Sequence, residues 1–196
     1  TVGGAWLLAA SFLASLPGPV RLVGAGAVLA GLLVFDAQAL RLYYLRRRRS
    51  FDIHVPYALT GMGFGTLAAA LLVAGVAGDR PLTDPLWTAV GWLAIMGWAE
   101  TVVQGFLYKI GPFLTWLHRY ARRAGQQPVP KLEDLFDRRT ALVGWVGWTC
   151  GVAWGTGAAL GQAPALAHAA GVALAIGAGA FVLNAVRVGR HWREPC

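Results

Sequence analysis

The stretch Val20–Leu45, VRLVGAGAVLAGLLVFDAQALRLYYL, runs directly into four arginines, Arg46–Arg49. Its apolar residues point all round a helix and do not alternate as a barrel strand requires. At 1.5 Å per residue an α-helix of this length covers about 39 Å, more than a hydrocarbon core of about 30 Å. The arginine block stops it at one membrane face. The stretch reads as a transmembrane helix with a basic flank.

Five more segments read the same way, at Val2–Leu16, His54–Gly78, Trp87–Ile110, Thr140–Leu160 and Pro164–Val188. Pro17-Gly18-Pro19, Asp79-Arg80-Pro81 and Gly111-Pro112 punctuate them, because proline cannot continue a helical hydrogen-bond ladder. The fold expected is all-α: a polytopic membrane protein, one domain, a bundle of six transmembrane helices. Composition agrees. Of 196 residues, 57% are hydrophobic and 13% charged, where a soluble domain carries about 25% charged. That excludes a disordered chain. Two cysteines, Cys150 and Cys196, make no disulfide framework. The first span opens at Thr1 with no Met and no basic flank, so the expectation is of residues upstream, lost by processing or belonging to a longer chain.

Fifteen of the seventeen Lys and Arg fall on one side of these spans, leaving only Arg21 and Arg80 on the other. By the positive-inside rule the basic side is cytoplasmic. The expected setting is a bacterial inner membrane with both termini cytoplasmic. The net charge of +8 then needs no nucleic acid, and no nucleic-acid motif is present. Arg46–Arg49 are placed to hold anionic lipid headgroups. Phe113, Trp116, Leu117 and Tyr120 share a helical face opposite Arg119, Arg122 and Arg123. This predicts an interfacial helix over residues 113–123.

The 26 glycines sit mostly inside spans, where small residues let backbones approach. Gly151 and Gly155 form a literal GxxxG. Among the nine tryptophans, Trp92, Trp98, Trp145, Trp148 and Trp154 lie deep, as bundle core, lipid-facing bulk or the walls of a flat cofactor's pocket.

Ionisable residues inside a membrane are costly and become candidates for function. Asp36 and Glu100 each stand ten residues from the cytoplasmic end of a span, about 15 Å deep. At equal depth they can meet if the second and fourth helices touch, and would then share one proton. Gln104 and Tyr108 continue one face from Glu100. The stripe reads as a proton or cation path, or as a hydrogen-bonded seam that fixes helix packing. His54 and His118 both lie near the cytoplasmic face and could ligate a b-type haem between facing helices. Trp98 and Glu100 would line its pocket. No catalytic constellation is present, and no His spacing marks zinc.

The stretch Gly105–Tyr120, GFLYKIGPFLTWLHRY, with Val129–Leu135, VPKLEDL, resembles the C-terminal half of a family of bacterial polytopic membrane proteins. That family is distantly similar to haem–copper oxidase subunit I and to the NnrS haem proteins. The resemblance implies respiratory or haem chemistry: a bound b-type haem or quinone, or docking beside a redox subunit or the chain's own upstream region. The oxidase His pair spaced by one residue and the His/Tyr copper site are absent from this sequence. Two other functions fit the residues, a proton-coupled transporter or channel component and a cofactor-free structural subunit.

Overall fold

A computed structural model describes residues 2–13, 17–45 and 52–191. Arg46–Arg49, with their expected lipid contacts, lie outside the described residues. Six helices carry the fold: α1 (Val2–Leu13), α2 (Gly18–Leu45), α3 (His54–Ala77), α4 (Pro85–Arg119), α5 (Arg138–Gly161) and α6 (Pro164–Arg190). Four of them, α2, α3, α4 and α6, are long and apolar enough to cross a membrane. The six-span expectation is therefore met in part. At 12 residues the described α1 extends about 18 Å, well short of the hydrocarbon thickness. With 24 residues, α5 is long enough, but Gly, Thr and Trp dilute its apolar run.

Helix α4 corrects a boundary. Asp84 caps its start, accepting from the Leu86 N–H at 2.9 Å, and Pro85 follows in the first turn, where a missing N–H costs nothing. The helix then runs through Gly111-Pro112 to Arg119. Residues 113–119 are thus its last turns, and no separate interfacial helix spans 113–123. Pro112 forfeits the bond to the Tyr108 carbonyl, at about 3 kcal/mol for an interior proline. Burial of Pro112 and Thr115 and a bond from Trp116 Nε1 to the Pro130 carbonyl, 2.9 Å, hold these turns in place. The chain turns only after Arg119, through short 3-10 turns at Ala121–Arg123 and Leu132–Leu135.

The middle of α4, Leu93–Glu100, is π-helical. Its wider turn is bonded to α5 on both sides. Trp92 Nε1 donates to the Val152 carbonyl at 3.1 Å, and Trp148 Nε1 donates to the Met96 carbonyl at 3.2 Å.

Helices pack where glycine removes a side chain. A Cβ on Gly147 would fall 3.0 Å from the Ala173 carbonyl oxygen, and one on Gly177 would fall 2.8 Å from Trp148 N. These contacts, with Gly151 against Leu174, run α5 antiparallel along α6. The GxxxG pair divides its work: Gly151 faces α6, whereas Gly155 makes room for the Trp92 indole of α4. Gly61 and Gly65 of α3 receive Val102 and Trp98 of α4. Helix α2 packs between α1 and α3.

Two glycines two residues apart in α6, and so on opposite sides of the helix, give opposite expectations. Gly177→Ala forces backbone apart and lowers stability by about 1–3 kcal/mol. Gly179, with nothing within 4 Å of its would-be Cβ, accepts Ala with no loss, since Ala is the better helix former. Unfolding midpoints of both variants in one detergent check this; equal midpoints would refute the packing.

Candidate functional site: a polar seam through the bundle

The seam begins where the π segment ends. Thr101 is fully buried and donates from Oγ1 to the Met96 carbonyl at 3.0 Å. Trp148 Nε1 also reaches Thr101 Oγ1 at 3.0 Å. One α5 indole therefore ties together both sides of the π–α junction. Glu100 is the last π residue and is half-buried. Gln104, four residues on and 4% exposed, donates from Nε2 to Glu100 Oε1 at 3.3 Å. Gln104 Oε1 is buried with no hydrogen-bond donor among the described residues.

Tyr108 lies one turn further, buried on the same face as Gln104. Its ring stands edge-on to Phe181 at 5.4 Å and beside Tyr57 at 5.7 Å. Its hydroxyl is 3.5 Å from Asn184 Nδ2. Asn184, 2% exposed, holds the backbone of Asp137 at two points. Its Oδ1 accepts from the Asp137 N–H at 2.9 Å, and its Nδ2 donates to the Asp137 carbonyl at 3.1 Å. The start of α5 is thereby fastened to the end of α6.

Asp137 is also the N-cap of α5. Bonds from Thr140 Oγ1 and the Arg139 N–H, with Arg187 at 3.2 Å, hold its carboxyl below the usual range. On the opposite end of the bundle Asp84 is lowered likewise, first by the Leu86 N–H and then by Arg80.

The structure does not bring Asp36 and Glu100 together. Asp36 accepts from Thr66 Oγ1 of α3, while Glu100 takes Gln104 of its own helix. The reason is the order of packing: α2 sits against α3 on one side and α4 against α3 on another. Asp36 Oδ1 is buried and has no donor among the described residues.

His54 and His118 are not brought together either. Asp52 lies 3.1 Å from His54 Nδ1, and the His54 ring sits 6.3 Å from that of Phe106. His118 is twelve positions beyond Phe106 on the same unbroken helix, about 18 Å along its axis. Its Nδ1 contacts the Leu114 carbonyl at 2.9 Å. Two axial ligands of one haem need matched depth, and the continuous α4 removes it. Trp98 is 43% exposed, its indole packed against Gly65. Thus it covers a helix crossing beside α3.

Thr66, Thr101 and Asn184 add polar contacts and were not among the expected site residues, while Trp148 was expected to lie deep but with no polar role. One had a signal in the sequence. Asn184 is the chain's single asparagine and interrupts an apolar run; an amide there needs partners.

Comparison with known protein families, with curated proteins and with solved structures finds no match. The site therefore rests on its own geometry.

Proposed function

We propose that this chain is a proton-coupled transporter or channel component of a bacterial inner membrane, with Glu100 as the group that takes up and releases the proton. The supporting observation is the Glu100–Gln104 pair. An ionised Glu100 accepts from the Gln104 amide nitrogen. A protonated Glu100 donates, and the amide turned over offers Oε1, the very acceptor that lacks a donor. Oxygen and nitrogen of a glutamine amide exchange places by a simple flip. One side chain thus serves both protonation states of its neighbour. The π segment that ends at Glu100 adds support, since such segments recur at functional sites.

The same reading has all six helices lying across the membrane, with the basic loops cytoplasmic. The two helices that fall short by length or hydropathy each lie along one that does not: α1 packs on α2, and α5 on α6. A haem shared by His54 and His118 is not part of this proposal, because His118 lies about 18 Å along α4 from Phe106, the residue beside His54.

The test is proton uptake by vesicles reconstituted with the purified chain under an imposed potential. Glu100→Gln, which cannot carry a proton, reduces uptake about a hundredfold or to background, as expected for a required proton-transfer group. Gln104→Leu slows uptake without abolishing it. Undiminished uptake in Glu100→Gln would sink the proposal.

A further inference from the structure

At the cytoplasmic end of α6 a groove of about 360 Å³ opens between that helix and the segment before α5. Leu135 and Phe136 lie along it, and two pairs of opposite charges line it: Arg187 and Arg190 from α6, Asp134 and Asp137 from the approach to α5. We infer that this groove binds a phospholipid whose headgroup carries both a phosphate and an ammonium, a phosphatidylethanolamine. The inference is independent of Glu100.

The charge pattern selects the headgroup. A purely anionic headgroup would meet Asp134 and Asp137 unfavourably, and a bare cation would meet the guanidiniums. A zwitterion places phosphate on the arginines, which match its oxygens in a planar fork, and ammonium on the carboxylates. Arg190 is exposed and makes no ion pair with the described residues. Arg187 is held by Asp137 at 3.2 Å, so one cation is already fixed in place.

The surface below the groove selects a lipid over a soluble phosphate. Val186, Leu183, Ile176 and Val172 descend α6 beneath Arg190, all exposed. These positions recur at helical spacing on one face. Arg190 therefore crowns an apolar track running into the membrane, where an acyl chain lies when the headgroup is in the groove.

The probes are phosphatidylethanolamine and phosphatidylglycerol of identical acyl chains, added to the full chain in detergent and read by native mass spectrometry. Phosphatidylethanolamine is expected to be retained preferentially. Arg190→Gln should lower its retention about fivefold, the effect of one basic residue at a membrane surface. Asp134→Asn should erase the preference between the two lipids, and Leu183→Ser should weaken both. Equal retention of the two lipids by the unaltered chain would overturn the proposal. So would unchanged retention in Arg190→Gln, or binding of soluble O-phosphoethanolamine as tight as that of the lipid. Unaltered melting of Arg190→Gln keeps a loss of lipid distinct from a loss of fold.

Discussion

Asn184→Ala destabilises the protein by about 1–3 kcal/mol, because it leaves the half-buried N–H of Asp137 without a partner and takes from the Asp137 carbonyl one of its two donors, the other being the Ala141 N–H at 3.0 Å. The amide is 2% exposed and bonded to both the N–H and the carbonyl of that residue. The 3.5 Å approach to Tyr108 adds little, being at the limit of a hydrogen bond. Asn184→Asp separates the two contributions. Its carboxylate still accepts from the Asp137 N–H but has no proton for the carbonyl. That variant should be at least as unstable as Ala at neutral pH and should recover on acidification, when the protonated acid donates again. Unfolding in mixed micelles reads all three chains. A loss in Asn184→Ala below about 0.5 kcal/mol, the range of an ordinary surface change, would show that the clamp contributes nothing.

The second large effect is at Trp148. Its ring packs with Leu93, Val152 and Ala68, and its N–H serves Met96 and Thr101. Trp148→Ala loses packing and both bonds, for about 3–5 kcal/mol. Trp148→Phe keeps most of the ring and drops the N–H, for about 1 kcal/mol. The two variants should diverge in a second respect. If the indole N–H fixes the π–α junction, Trp148→Phe also slows proton uptake, although Glu100 is untouched and the fold is retained. Uptake unchanged in Trp148→Phe would separate the junction from the proposed proton transfer.

Much of the helix layout was legible in the sequence. The third span was expected at His54–Gly78 and the structure has His54–Ala77; the sixth was expected from Pro164 and begins there. Apolar length and proline position decide such boundaries locally. Gly111-Pro112 misled for the same reason. A local rule stops the helix there, but burial of Pro112 and the Trp116–Pro130 bond outweigh one lost backbone bond. The depth expected for Glu100 rested on the same Ile110 boundary, and whether it meets Asp36 depends on which helices are neighbours. Sequence spacing carries no such information. His54 and His118 were matched in depth only on the assumption that the fourth helix ended at Ile110. GxxxG was legible as a packing motif, yet its two glycines serve different partners. The seam along Gln104 and Tyr108 followed from helical spacing. Its continuation through Asn184 to Asp137 required the third dimension.

The link between α5 and α6 has only two residues, Gln162 in a left-handed conformation (φ 48°) and Ala163. So short a tether leaves the two helices nowhere to go but back along each other. Closing a small loop sacrifices little chain freedom, and the glycine faces of Gly147, Gly151 and Gly177 are complementary without help from other helices. The two helices at the C-terminal end of the described residues form a closely packed hairpin. It supplies a wall from which the indole of Trp148 reaches out to the π turn of α4.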